Sequence, residues 1–311
     1  MTPGSEPFRG LRHIGTACTL LIVLAVAGCG GQVQPEKDSA FDNGAARARR
    51  GAMQAFANHR YARAASGFRR ALELAYRSDD SRAVVDARYN LAASLAELGK
   101  YDEALRMLDA AEAELRREGR PISMDIVLLR AAVNYRASQP QRAAALARQV
   151  ISAPDVDPVL AARAWFLIGL IAADESDRPG LVRAMEAAGP EGENAALRAD
   201  RVELSGRLAG LDGRTESAIE HLGEAARTRS KAGDYRAASR ALAAAGEIAR
   251  QAGQSRDAAR YYLRAGRSAA ARGDEVTARQ WLQQAHRLAL QADDGGSAEE
   301  AAAVLAALED G

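Results

Sequence analysis

Histidines, cysteines and clustered carboxylates are the side chains best suited to nucleophilic, acid–base or metal chemistry, and in this 311-residue chain they are few and scattered. Beyond residue 30, histidine occurs only as His59, His221 and His286, far apart in sequence and without the spacing of a local metal-ligand set. The acidic stretches Asp155-Val156-Asp157 and Asp174-Glu175-Ser176-Asp177 lack the loop pattern of a calcium site and read as turns flanking helices. Neither a Gly-rich phosphate loop after a strand nor a G-x-S-x-G nucleophile motif occurs. The expectation is therefore no catalytic residue, no metal, no cofactor and no small-molecule substrate. Two cysteines are left to consider, Cys18 and Cys29, and both lie near the N-terminus.

Their surroundings have the layout of a secretory signal: Arg9, Arg12 and His13 precede an apolar run from Ile14 to Ala27, followed by small residues. The run is shorter than the roughly 20 residues a spanning helix requires, which favours cleavage over permanent anchoring. Leu24-Ala25-Val26-Ala27-Gly28-Cys29 then resembles the processing site of bacterial lipoproteins, an aliphatic residue and small residues directly before a cysteine. The resemblance implies cleavage between Gly28 and Cys29 and a covalent lipid on the Cys29 thiol, which must be free and accessible for acyl-glyceryl transfer. Cys18 would leave with residues 1–28, so no disulfide could form within one mature chain, and lipidation accounts for the cysteine that remains. In double-membrane bacteria an aspartate after the lipidated cysteine tends to retain such proteins in the inner membrane. Gly30 stands there instead, so the resemblance implies the periplasmic face of the outer membrane. Residues 29–39 then carry the lipid and a polar, Gly- and Pro-containing tether.

Of the 42 basic and 41 acidic residues, only Arg9, Arg12 and Glu6 fall within 1–28, which leaves 40 of each sign in the mature chain. A neutral balance gives no global electrostatic reason to expect nucleic acid as a partner. The lipid, not charge, is expected to hold the protein at the membrane.

The rest of the chain must be scaffold. Hydrophobic residues make up 48% of the chain, enough for a core, but only 5% of residues are aromatic and β-branched residues are sparse, so close-packed helices are favoured over sheets. From residue 40 onward thirteen helix-breaking clusters recur about every twenty residues, for example Asn58-His59-Arg60, Gly99-Lys100, Asp212-Gly213 and Gly273-Asp274. They predict fourteen helices. Tyr101, Ala104, Leu105, Leu108 and Ala111 show the one-faced spacing of an amphipathic helix. Ala164 to Ala173 is apolar all round but too short to span a bilayer, and is expected as a buried mid-array segment.

Aligning helix pairs on the residue that opens each second helix picks out Tyr61, Tyr101, Pro140, Arg178, Thr215 and Ser255, at intervals of 40, 39, 38, 37 and 40 residues. This is an internal repeat. Small residues recur in the first helix at Ala52, Ala92, Ala131, Gly169, Gly206 and Gly246, and in the second at Ala64, Ala104, Ala143, Ala218 and Ala258. Bulk follows four positions later at Phe68, Leu108, Met185, Leu222 and Tyr262. The pattern, best preserved over Arg88 to Ala111, resembles the tetratricopeptide repeat, and the match covers nearly all of residues 40–311. Departures are the period near 39 where 34 is usual, Leu181 where alanine is expected, and Ala147 where bulk is expected. Longer helices and a looser junction between the third and fourth pairs are expected from them.

The resemblance implies an all-α, right-handed superhelical solenoid of about seven helix pairs, with 275–311 as a capping pair. It also implies a concave groove lined by first helices that grips protein or peptide segments. Matching positions place Phe56, Tyr89, Tyr135, Arg163 and Phe166 in an apolar and aromatic half, and Arg207, Arg240 and Arg250, with Asp200 and Glu203, in a mixed-charge half. The function expected is a membrane-anchored scaffold or adaptor in the cell envelope. The alternative on the same scaffold is an assembly factor for outer-membrane, pilus or secretion components.

Overall fold

Each second helix of the repeat begins on the residue that the sequence alignment picks out. The computed structural model describes residues 40–189 and 194–309, with side chains from residue 44. Residues 1–28, Cys29 and the remainder of 29–39, which bear the processing, lipidation and tether expectations, lie outside the described residues. The described chain is helical throughout, with fourteen helices. They are α1 (Ala40–Ala57), α2 (Tyr61–Arg77), α3 (Ser81–Glu97), α4 (Tyr101–Arg117), α5 (Met124–Arg136), α6 (Pro140–Ile151) and α7 (Pro158–Asp174). There follow α8 (Arg178–Ala187), α9 (Ala195–Leu211), α10 (Thr215–Lys231), α11 (Tyr235–Gln251), α12 (Ser255–Ala271), α13 (Glu275–Gln291) and α14 (Gly295–Ala307). Most are 17 residues long, but α6 and α8 have only 12 and 10, so the third and fourth pairs are the irregular ones. None of the described helices is long and apolar enough to cross a membrane.

Local chemistry explains where the helices stop. At most breaks one residue adopts the left-handed conformation, and the next N–H reaches back to a carbonyl of the last turn, as in Lys100 N to Leu95 O (2.9 Å) and Arg214 N to Ala209 O (2.8 Å). Gly99, Gly213, Gly253 and Gly273 fill that position at φ of 72 to 77°, where a side chain would clash with its own backbone. The first helices α3, α5, α7, α9, α11 and α13 start on Asp80, Ser123, Asp157, Asn194, Asp234 and Asp274, whose side chains accept hydrogen bonds from first-turn N–H groups.

Packing then follows the small-residue pattern. Ala64, Ala104, Ala143, Ala218 and Ala258 are all fully buried, with Phe68, Leu108 and Leu222 beside them. A methyl group added at Gly206 would sit 2.8 Å from Leu222 Cγ and 3.1 Å from the Ala218 carbonyl, so the two helices touch because this position has no side chain. Leu181, the departure from the repeat, is fully buried in a small cluster with Leu170 and Leu204. Gly206→Ala should therefore destabilise by about 1–3 kcal/mol through overpacking, whereas Gly51→Ala, exposed in α1 with open space around it, should stabilise by about 0.5–1 kcal/mol. Urea unfolding of both variants checks the opposite signs.

Four apolar clusters run in chain order: α1 to α5, α5 to α7, α7 to α9, and α10 to α14. Yet the described helices form one compact unit, because the array curls back on itself. Glu97 at the end of α3 meets Arg236 in the first turn of α11, 139 residues later. His59, in the turn between α1 and α2, stacks edge-on against Tyr235 with ring centroids 5.0 Å apart.

Candidate partner-binding cleft

The curled array encloses a cleft of about 330 Å³. Tyr89 comes from α3, Leu128, Tyr135 and Arg136 from α5, and Leu160, Arg163, Phe166 and Leu170 from α7. The opposite wall is Asp200 of α9, Arg229 of α10 and Asp234, Ala237 and Arg240 at the start of α11. First helices face inward here because their i, i+3, i+4 and i+7 positions point away from the second helices they pack on. Of the lining cations, Arg136, Arg229 and Arg240 each hold a carboxylate. Arg163 is exposed and makes no ion pair among the described residues. The Tyr89 hydroxyl is shifted up by burial and further by Asp125, while Arg163 opposes that shift, so both charges act on the same hydroxyl.

The floor beside this cleft is an ion cluster built on one fully buried carboxylate, Glu203 of α9. Arg240 grips it through two bonds of 2.8 Å, Arg229 approaches to 3.2 Å and Arg207 to 3.5 Å. Asp200 accepts from Arg229, and Asp174 accepts from Arg207 at 2.8 Å and from the Tyr135 hydroxyl at 2.6 Å. The Phe166 ring lies 5.4 Å from the Arg229 guanidinium and 5.3 Å from that of Arg240, an arrangement favoured by the electron-rich ring faces. Burial acts to raise the Glu203 carboxyl, but Arg240 and the other arginines override it and hold it at about 2.

That shift has a sign. Because the folded-state value lies below the unfolded one, the stabilisation is complete above roughly pH 4.5, the ordinary glutamate range, and is lost as the pH falls towards 2. Its size is on the order of 3 kcal/mol. Asp200 is pushed up by burial against the pull of Arg229 and so acts in the opposite sense. Urea midpoints should fall between pH 4.5 and 2, and Glu203→Gln should flatten that fall relative to its own neutral-pH value.

The sequence-derived candidates divide. Tyr89, Tyr135, Arg163, Phe166 and Arg240 come together around the one cleft. Arg207 instead lines a neighbouring cavity of about 380 Å³, which also contains Arg240, Glu247, Tyr262 and Trp281. Phe56 packs edge-on against Tyr61 at 5.3 Å, within reach of the α1-to-α5 cluster. Arg250 forms a surface fork with Glu247 on its own helix, at 2.6 and 2.9 Å. Arg136, Arg229 and Asp234 were not anticipated. Arg229 belongs to a second helix, and Asp234 reaches the cleft only because the array curls round; no periodicity in the chain marks either. Among the described residues no group of three or more His, Cys, Asp or Glu side chains could hold a metal ion.

Inward-facing first helices, second helices packed behind them and a cleft along the concave side define a tetratricopeptide-repeat-like superhelix, and the chain has that fold. It is similar to a Rap protein solved in complex with the Competence and Sporulation Factor, with a TM-score of 0.59 at 13% identity over 86% of this chain and 78% of that one. It is also similar to a signal transduction ATPase with numerous domains and a tetratricopeptide repeat sensor from Pyrococcus horikoshii, with a TM-score of 0.52 at 14% identity. That match covers 80% of this chain but only 40% of the ATPase. No protein-family model matches the chain, and no curated protein matches it.

Proposed function

We propose that the protein is a membrane-anchored scaffold of the cell envelope that holds a segment of a partner protein in the cleft between α3, α5, α7, α9 and α11. One observation carries the binding part: α3, α5 and α7 bring aromatic and leucine side chains to one concave wall, with the exposed, unpaired Arg163 among them and the charged groups of α9, α10 and α11 opposite. Apolar anchors beside a few polar groups are what gripping a peptide segment requires. The Rap protein's complex with the Competence and Sporulation Factor shows a similar fold in a bound state and supports the reading. The anchor rests on Leu24 to Cys29, with a lipid on Cys29 holding the protein at the periplasmic face of the outer membrane.

Two measurements test the two parts. A photo-crosslinking residue in place of Arg163 should capture a defined partner from intact envelopes, and Tyr89→Ala with Leu128→Ala should abolish capture while the helical content is kept. Persistence of the same adduct in that variant would move binding off the cleft. Metabolic labelling with a fatty-acid analogue should mark the wild type and not Cys29→Ser; equal labelling of both would refute the anchor.

A further inference from the structure

We propose that Glu97, Arg236 and Asp274 form a clasp that sets the width of the cleft by tying one end of the curled array to the other. Arg236 donates from Nε to Glu97 Oε2 at 2.8 Å, from Nη2 to the Glu97 carbonyl, and from Nη1 to Asp274 Oδ2 at 2.7 Å. A single guanidinium thus joins the end of α3, the start of α11 and the turn before α13. Asp274 is fully buried and also caps α13, so its carboxylate is held in place from behind.

Two further observations give the clasp a consequence for the cleft. Glu97 also accepts from Arg136 at 3.0 Å, and Arg136 lines the cleft from the α5 side. On the other wall Asp234 and Ala237 line it from either side of Arg236. Both walls are therefore pinned to the same carboxylate from outside the cavity. None of the four apolar clusters holds residues from both α1–α5 and α10–α14, so no shared core enforces the closure. The closure rests on these polar contacts, on the His59–Tyr235 ring pair and on turn-to-turn packing, in which Leu98 and Gly99 lie against Gly273 and Asp274 and His59 lies against Gly233. Glu97 and Arg236 are accordingly positioning residues: they touch no partner and determine the distance between the groups that do. That consequence rests on the cleft reading above, whereas the clasp itself does not.

The test is a distance measurement between spin labels at Arg60→Cys and Lys231→Cys, two exposed positions on opposite sides of the closure, in the full chain with Cys18→Ser and Cys29→Ser. A narrow distribution is expected with the clasp intact. Glu97→Gln should move it to longer distances and broaden it, with helical content retained, and Arg236→Gln should do the same from the α11 side should the first variant fold poorly. The double variant should shift the distance by less than the sum of the two single ones, because both break the shared Glu97–Arg236 contact, while each also loses one bond of its own, Arg136 to Glu97 or Arg236 to Asp274. A distribution that is already broad with the clasp intact, or one that both single variants leave unchanged, would overturn the proposal. Crosslinking through position 163 in the Glu97→Gln background separates the two readings. A changed distance with unchanged capture leaves the clasp standing and removes the cleft.

Discussion

Glu203→Ala should be among the most damaging single substitutions in the protein, costing about 3–5 kcal/mol of unfolding free energy. Glu203 has no exposed surface, and Arg207, Arg229 and Arg240 all approach it within 3.5 Å. Replacing a buried pair or cluster wholesale with apolar residues can be neutral, but deleting its one central anion leaves several desolvated cations facing each other. Asp200 and Asp174 would still compensate Arg229 and Arg207, so the uncompensated charge should fall mainly on Arg240, whose only carboxylate among the described residues is Glu203. Against a typical total of 5–15 kcal/mol, such a loss would bring the domain close to unfolding at ambient temperature. Denaturant titration measures it directly. A cost below about 1 kcal/mol, the scale of a surface pair, would mean that water reaches the cluster and that the floor of the cleft is softer than its burial implies. Because Phe166 lies against Arg229 and Arg240, the same substitution should also loosen an aromatic side chain of the cleft.

Leu222→Ala should cost about 2–5 kcal/mol, towards the upper end for its size. The usual relief is collapse of neighbouring side chains into the cavity. Here Gly206 of α9, which faces it, has no side chain to move, and Ala218, Ala225 and Ala226, its neighbours on the same helix, are already buried. The void should therefore persist. In a stacked array, where each pair contacts chiefly its neighbours, the damage should be local. Amide exchange should speed up most in α9 and α10 and hardly at all in α1 and α2. Faster exchange reaching the end of α3 would show that the contact between Glu97 and Arg236 couples distant pairs, and exchange confined to α9–α11 would show that it does not.

The two halves of the problem were unequally legible. Helix number and boundaries could be read because they are decided locally: a glycine at a left-handed position or an Asp before a first turn acts within a few residues of itself. The small residues could be read as contact points because a helix pair is a short-range object, and Gly206 against Leu222 or Gly246 against Tyr262 bears this out. The cleft was legible only in part. Tyr89, Tyr135, Arg163 and Phe166 lie on the same inward face of first helices, at repeat positions three and seven residues apart, so one periodic argument placed them together. Phe56 satisfies the same argument, but its ring meets Tyr61 across a three-residue turn.

What the residue order settled alone is the set of fourteen helices among the described residues, their pairing and the alternation of small and bulky contacts. Only the tertiary structure decided that α3 and α11 approach each other, that Glu203 gathers three arginines, and that Glu97 lies within bonding distance of Arg236. The physical reason is accumulation. Each pair adds a small rotation set by side-chain packing at one interface, and where residue 97 lies relative to residue 236 depends on the sum of those rotations across the intervening pairs, including the short α6 and α8. No local signal encodes a sum, so the contacts that close the cleft exist only once the whole array has been built.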